Sequence, residues 1–167
     1  AFDHQFMGED VYEHTFTVIP CDPAEVPAAR ESGQPLGRHL DGCRIGFDLG
    51  ASDRKVSAVI DGQAVYSEEV VWTPSTQSDP EYHYREIRTA LETAAAHLPR
   101  LDAIGGSSAG VYVNDTVRVA SLFRAVPRER YGEVRSLFHR LRQEFGVPLS
   151  IVNDGDVTAL AGSMSLE

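Results

Sequence analysis

Apolar and polar side chains alternate regularly along the chain from Cys43 onward, and this pattern predicts strands. Three alternating segments follow one another at 44–49, 55–60 and 64–72. The second turn between them is Asp61-Gly62, a dipeptide typical of tight β-hairpins. The pattern therefore predicts three antiparallel strands in a meander.

Helical spacing replaces alternation after this meander. A first helix is predicted to start near Pro80 and to end at Pro99, and a second to run from Pro127 to about Phe145. In the first helix the spacing places Tyr84 on the core face and His83 toward solvent. The apolar positions that carry these two predictions are Tyr84, Ile87, Leu91, Ala94 and Leu98, then Tyr131, Val134, Phe138, Leu141 and Phe145.

Short strands fill the remaining segments. One is predicted at 101–105, a hairpin turns at Asn114-Asp115, and a last strand at 149–152 precedes a short helix at 155–164. The order βββαβαβα, with the hairpin inserted, predicts an α/β fold. It is a ribonuclease-H-like mixed five-stranded sheet with flanking helices, forming a single lobe at 43–167.

The first 42 residues differ from the rest. Four prolines interrupt them, and eight acidic residues against two basic ones give this leader −6 of the total charge of −10. The alternation of Tyr12–Ile19 predicts one strand in an otherwise irregular segment.

The amino-acid composition restricts the classes of function that the chain can have. Apolar residues make up 42% of the chain, enough for a folded core, and no apolar run is long enough to cross a membrane. The charge of −10 argues against a nucleic-acid partner, because such binding depends on Lys and Arg. Cys21 and Cys43 form no Cys-x-x-Cys motif, and the histidines lack metal-ligand spacing, so we expect a cytoplasmic protein without a structural zinc.

The turn after the first strand is one candidate site. In IGFDLGASDRK, Asp48 ends the strand, Gly50 permits an unusual backbone angle, and Ser52 adds a small hydroxyl at the bend. Backbone N–H groups in such a turn can form an anion site, and Asp48 beside it could hold Mg2+. The alternative is an ordinary hairpin that happens to contain Asp and Gly.

The last strand ends in a second candidate. Asp154 would lie at the carboxyl end of a buried strand and the start of a helix, where open α/β sheets usually bind ligands. There it could act as a general base toward a hydroxyl group. The alternative is that Asn153 or Asp154 only caps the helix. The Gly-Ser run at 105–110 leaves space for a ligand but would also suit any tight exit from a strand.

The order of these motifs resembles the ROK family of sugar kinases and sugar-responsive repressors. The resemblance covers about residues 44–165 and implies the actin, sugar kinase and Hsp70 fold. It implies that the turn at Asp48, Gly50 and Ser52 binds the phosphates of ATP, with Mg2+ at Asp48. The sugar-binding residues it implies are Ser108, Gly110 and Asn153, with Asp154 as the catalytic base.

Two departures from the family pattern are visible. Ala51 and Ser52 stand where the family usually has Gly-Thr, and Asp156 replaces a small residue after Asp154. The family's second phosphate motif and its Glu and His sugar ligands belong to a second lobe. We therefore expect these 167 residues to be the first lobe of a longer protein. The reading frame of the gene beyond Glu167 would test this expectation most directly.

The sequence thus favours the N-terminal lobe of an ATP-dependent kinase that phosphorylates a sugar, a hexose by the resemblance. A non-catalytic sugar-sensing module is the alternative, and a purely structural domain a third. The predicted final helix places Val157, Leu160, Ala161 and Met164 on one apolar face, which predicts a homodimer of the isolated lobe.

Overall fold

The computed structural model describes residues 2–30 and 40–165. The chain divides into two compact units, residues 1–38 and residues 39–167. Among the described residues, no helix has the length and apolar character needed to cross a membrane.

The first unit contains no strand in its described part. A wide, π-type helix covers His4–Tyr12, Glu13 ends it in the left-handed conformation (φ 57°), and a short 3-10 turn follows at Pro23–Glu25. The predicted strand Tyr12–Ile19 is therefore wrong. The side chains of this segment do alternate, but a strand also needs a partner for its backbone N–H and C=O groups. In addition, Tyr12 belongs to the preceding helix.

The second unit is a mixed five-stranded sheet, as the sequence predicts. Its strands lie in the order β3-β2-β1-β4-β7; β1, β2 and β3 are antiparallel neighbours, whereas β4 is parallel to both β1 and β7. Strands β5 and β6 pair separately as a hairpin. The bounds are β1 Cys43–Leu49, β2 Asp53–Ile60, β3 Gln63–Val71, β4 Ala103–Ser108, β5 Val111–Val113, β6 Thr116–Val119 and β7 Leu149–Asn153.

Both predicted two-residue turns form as the sequence indicates. Asp61 and Gly62 have φ values of 48° and 80°, and Asn114 and Asp115 have 52° and 59°. Two successive positive φ angles match the right-handed twist of the flanking strands.

Three helices accompany the sheet: α1 Pro80–Ala95, α2 Tyr131–Phe145 and α3 Asp154–Ser165. Helix α1 begins as predicted, with Pro80 in its first turn and the Asp79 carboxylate accepting the Glu81 N–H at 3.2 Å. Helix α2 ends at Gly146, which adopts the left-handed conformation (φ 67°).

Helix α1 buries the predicted Ile87, Leu91 and Ala94, and it also buries His83, which was predicted to face solvent. His83 is fully buried, with Nε2 3.0 Å from the Pro74 carbonyl oxygen and 3.1 Å from that of Leu122. Tyr84 is only half-buried, and its hydroxyl contacts Glu144. Tyr84 still packs against the core, so the prediction is wrong only for His83. The carbonyls of Pro74 and Leu122 offer acceptors to its imidazole, and buried polar groups need such partners.

A glycine fixes how closely β1 and β4 pack. A Cβ atom at Gly106 would lie 2.0 Å from the ring of Phe47, which itself stacks near Phe138 of α2 with centroids 6.2 Å apart. Phe47 therefore fills the space above a backbone that carries no side chain.

The hairpin turn between β5 and β6 contacts the outer strand β7. Asp115 accepts the backbone N–H of Ile151 at 3.0 Å and the hydroxyl of Ser150 at 2.9 Å. A carboxylate thus binds a backbone donor of β7 that β4 does not pair, because alternate residues of a strand face opposite neighbours.

Candidate functional site

The three motifs predicted to carry chemistry meet at one edge of the sheet. Strands β1, β4 and β7 are parallel, so their carboxyl ends lie together. The register sets Asp48 beside Ser107, and Ser108 beside Asn153. Ligands of open α/β sheets usually bind at this kind of edge.

Asp48 is held by a residue that the sequence analysis did not single out. The hydroxyl of Ser107, which is 7% exposed, donates to Asp48 Oδ1 at 2.5 Å. Nothing in the Gly-Ser run distinguishes Ser107 from Ser108; only the strand register identifies it. Ser108 is fully buried, and its hydroxyl donates to the Leu49 carbonyl at 3.0 Å. The proton of the Ser108 hydroxyl therefore already forms a hydrogen bond within the protein.

The turn that follows β1 is fixed by its own backbone and by a tryptophan. The Gly50 N–H donates to the Asp53 carbonyl at 2.9 Å, and the Gly50 carbonyl accepts the indole N–H of Trp72 at 2.9 Å. The Trp72 backbone N–H also donates to the Ser52 carbonyl at 3.0 Å. Trp72 is 3% exposed, so the turn is anchored in the core.

Gly50 is needed for a different reason from the predicted one. It does not adopt a left-handed conformation, so the expectation of an unusual backbone angle is wrong. Instead, a Cβ at this position would lie 3.0 Å from the Asp53 carbonyl oxygen, closer than most real Cβ contacts. Because the Gly50 N–H already has a partner, other groups of the turn would have to contact a phosphate.

The turn after β1 carries more negative charge than a site that binds phosphate without a cation would. Lys55 Nζ lies 3.1 Å from Asp53 Oδ1, and this hydrogen bond, followed by one from the Ser52 hydroxyl, lowers the pKa of Asp53. The hydrogen bond and charge of Asp53 raise the pKa of Lys55 in turn. Lys55 is also the cross-strand partner of Asp48.

Two carboxylates on one turn fit a divalent cation better than an isolated anion. Mg2+ commonly takes one or two protein carboxylates together with waters and substrate phosphates. Asp48 lies opposite Lys55, which follows Asp53 by two residues, so both carboxylates are on one face of the β1–β2 pair. The described residues contain no cluster of three or more His, Cys, Asp or Glu able to hold a metal alone. The two carboxylates therefore suit an Mg2+ ion whose other ligands include a phosphate.

Asn153 joins the two loops at the sugar side of the predicted site. Its Nδ2 donates to the Gly110 carbonyl at 2.8 Å, and its Oδ1 accepts the Gly155 N–H at 2.8 Å. Gly110 has a φ of 150°, and a Cβ there would lie 2.6 Å from the Val119 carbonyl oxygen. Asn153 thus fixes the exit of β4 against the start of α3.

Asp154 is the first residue of α3 and is exposed. Its Oδ1 accepts the Gly155 N–H at 2.9 Å. The rest of the exposed carboxylate is accessible to a ligand. The position is therefore compatible both with a helix cap and with a base that faces a ligand.

Tyr112 lies near these residues and was not expected from the sequence. Burial raises the pKa of Tyr112 to about 12, against the opposing effect of a hydrogen bond with Ser108. The Tyr112 hydroxyl is shielded from solvent. Only the location of Tyr112 in a short strand was predictable, since the alternation of apolar and polar residues does not show which groups surround a side chain.

Comparison with solved structures gives clear matches for this fold. A ROK-family transcriptional regulator, a homologue of the E. coli MLC protein, matches 75% of the chain over 31% of its own, at 20% identity and TM-score 0.58. The inorganic polyphosphate/ATP-glucomannokinase of Arthrobacter sp. strain KM matches 72% of the chain over 47% of its own, at 21% identity and TM-score 0.56. A glucokinase from Parabacteroides distasonis matches 69% over 31%, at 20% identity and TM-score 0.54.

The chain has the fold of a single lobe of the sugar kinase-like fold. Structural neighbours of this fold are ROK-family glucokinases, a ROK transcriptional regulator and a ROK hexokinase, which confirms the predicted resemblance at the level of the fold. The chain spans less than half the length of these three matched structures. No protein-family model and no curated protein matches the sequence.

Proposed function

We propose that this chain is the N-terminal lobe of a ROK-type sugar kinase, which transfers the γ-phosphate of ATP to a sugar hydroxyl in the complete protein. The observation that carries the proposal is the meeting of Asp48, Ser107, Asn153 and Asp154 at the carboxyl edge of three parallel strands. Relatives in fold include both kinases and a regulator, so the fold alone leaves the activity open.

Asp154 is the proposed general base. As an exposed carboxylate at the start of α3, it can accept the proton of a sugar hydroxyl while that oxygen attacks phosphorus. Loose transition states of phosphoryl transfer need little basicity, so a carboxylate stabilised by a helix N-terminus is sufficient.

Asn153 and Gly110 form the proposed sugar side of the site. Ser108 is fully buried and would support this side through its hydrogen bond to the Leu49 carbonyl rather than contact the sugar. The contact of Asn153 with the Gly110 carbonyl orders both loops before a ligand arrives. Such preorganisation lowers the entropic cost of binding. An amide has two donor hydrogens and two acceptor lone pairs, so Asn153 can still contact a sugar hydroxyl.

The turn from Asp48 to Asp53 is the proposed phosphate and Mg2+ side. Asp48 and Asp53 would hold Mg2+, which would supply neutralisation of the phosphate charge. Ser107 orients Asp48 by a hydrogen bond, and the Trp72 indole N–H occupies the Gly50 carbonyl. We also expect the protein in the cytoplasm, because its described cysteines are free thiols and its proposed cosubstrate is ATP.

A sugar-sensing regulator is the second candidate. It is favoured by the match to a ROK transcriptional regulator. In that case sugar binding would persist and phosphoryl transfer would be absent.

The test is an assay of the complete protein with ATP, Mg2+ and a panel of hexoses and N-acetylhexosamines. Formation of ADP and a sugar phosphate in equal amounts supports the kinase. Sugar binding by calorimetry without turnover supports the sensor. Neither binding nor turnover with any sugar would overturn both.

A further inference from the structure

A cleft of about 480 Å³ lies at the amino end of β7, away from the proposed kinase site. It is lined by the last turns of α2 and by the segment that leads into β7: His139, Arg142, Gln143, Gly146, Val147 and Pro148. Strand β7 begins at the next residue, Leu149, and at ~3.3 Å per residue its other end, Asn153, is roughly 13 Å farther along the strand. The cleft is therefore a separate place in the fold.

Three polar side chains of α2 converge on this cleft. His139, Arg142 and Gln143 are spaced i, i+3 and i+4, which places them on one face of the helix. The His139 ring is held by a hydrogen bond between Nε2 and the Thr116 hydroxyl at 3.0 Å. With Nε2 as the acceptor of that bond, Nδ1 carries the ring proton and is a donor. The described lining contains no acidic side chain, so the cleft suits an anion.

The guanidinium of Arg142 is available to such an anion. Arg142 is exposed and has no side-chain hydrogen bond or ion pair with any described residue, whereas Arg140 of the same helix contacts Glu81. The nearby carboxylate of Glu144 lies on the other side of α2, where it contacts Arg88 of α1. Arg142 thus keeps an unneutralised positive charge in a protein of net charge −10.

The size and chemistry of the cleft indicate the class of ligand. Guanidinium groups bind phosphate and carboxylate groups through two parallel N–H bonds. A phosphate monoester offers three acceptor oxygens, which matches the three polar side chains, whereas a carboxylate offers two. Sites for small molecules commonly have volumes of ~300–1,000 Å³, so there is room for an organic group beside the phosphate. Val147 and Pro148 supply apolar surface for it.

We propose that this cleft binds a small organic phosphate, whose phosphate group pairs with the Arg142 guanidinium and accepts hydrogen bonds from Gln143 and His139. The carbon part of the ligand lies on Val147 and Pro148. The proposal goes beyond the proposed function and does not depend on it, because the cleft shares no residue with the kinase site.

The test is calorimetric titration of the complete protein with inorganic phosphate, glycerol 3-phosphate and glucose 6-phosphate, and with butyrate as the carboxylate. We expect at least one organic phosphate to bind more tightly than phosphate alone or butyrate. Arg142→Gln should weaken this binding at least ~10-fold, because a charge-assisted hydrogen bond is lost and the C-terminus of α2 itself repels an anion. Arg142→Lys should retain part of the affinity, since the charge remains and the planar fork is lost.

A second measurement locates the ligand directly. In protein with isotope-labelled histidine, the ring signal that disappears in His139→Gln should shift on titration with the organic phosphate. The matched control is Arg85→Gln, which changes another exposed arginine, on α1 and outside the cleft, and should alter the affinity by less than about twofold.

Three results would overturn the proposal. The first is that none of the phosphates binds at millimolar concentration. The second is equal affinity of the wild type and Arg142→Gln, which would place the bound phosphate elsewhere in the protein. The third is an equal loss in Arg142→Gln and Arg85→Gln, which would show only general attraction between charges. None of these results depends on whether the protein phosphorylates a sugar, so failure here leaves the proposed function standing.

Discussion

The indole N–H of Trp72 donates to the carbonyl of Gly50 at 2.9 Å, which joins the end of β3 to the turn that follows β1. The Trp72 backbone N–H binds the same turn at Ser52. A residue 22 positions away therefore determines the shape of the proposed phosphate turn.

Replacing Trp72 with Phe tests this anchor. The aromatic ring is partly retained, but the Gly50 carbonyl loses its donor in a mostly buried setting. We expect the free energy of unfolding to fall by about 2–4 kcal/mol, from one unpaired carbonyl plus the smaller ring. Urea unfolding followed by circular dichroism measures this, and a loss below about 0.5 kcal/mol, the range of neutral surface changes, would contradict the anchor.

The buried imidazole of His83 should matter for stability rather than for chemistry. His83→Leu leaves the carbonyls of Pro74 and Leu122 without this donor, so we expect a loss of about 2–4 kcal/mol in the free energy of unfolding. The matched control, His97→Leu, changes an exposed histidine and should cost about 0.5 kcal/mol or less. Equal effects of both substitutions would show that the two carbonyls do not depend on His83.

Asp154→Asn tests the general base in the complete protein. The amide keeps the shape of the side chain but cannot take the proton, so turnover should fall at least ~10²-fold, while sugar affinity stays within a few fold. Steady-state kinetics and calorimetry measure the two quantities. A variant that keeps more than about a tenth of wild-type turnover would rule out this role.

The 167-residue chain alone should bind ATP weakly, whether or not Mg2+ is present. In the proposed two-lobed protein, the adenosine and part of the phosphates contact the second lobe, while the entropic cost of binding is the same. Calorimetry with ATP, with and without Mg2+, checks this. Tight Mg2+-dependent binding by these residues would argue against the division of the site between two lobes.

Helix α3 should mediate self-association of the isolated chain. Val157 is 36% exposed and Leu160 is half-buried on this helix, while the side chain of Met164 lies outside the described part of the structure. The net charge of −10 opposes large aggregates, so we expect a discrete dimer. Light scattering over a concentration series measures it, and Val157→Ser with Leu160→Ser should restore the monomer. A wild-type chain that stays monomeric at high micromolar concentration would exclude this interface.

Local signals were sufficient for most of the fold. Asp61-Gly62 and Asn114-Asp115 set two hairpins through their own backbone preferences, and Asp79-Pro80 set the start of α1. The face of α1 was not determined in this way. His83 and Tyr84 lie four and three residues before Ile87, so helical spacing allows either to face the core; the carbonyls that favour His83 come from distant turns.

The site was predictable in its location and not in its contacts. Parallel strands bring Asp48, Ser108 and Asn153 to one edge whenever their topology is correct. The partners of these residues depend on rotamers and register, which a single sequence does not reveal. The contact of Ser107 with Asp48 and the burial of the Tyr112 hydroxyl are two such features.

The contact between Asp115 and Ile151 also limits how the sheet can grow. A strand from another molecule cannot easily add to β7, because the hairpin carboxylate already takes a backbone donor there. Strand addition would have to use β3 at the opposite end of the sheet, where Glu68 and Glu69 would be brought close to a second chain. Two like-charged edges repel each other. The protein is therefore protected from edge-to-edge polymerisation at both ends of its sheet, by the covering hairpin at β7 and by charge at β3.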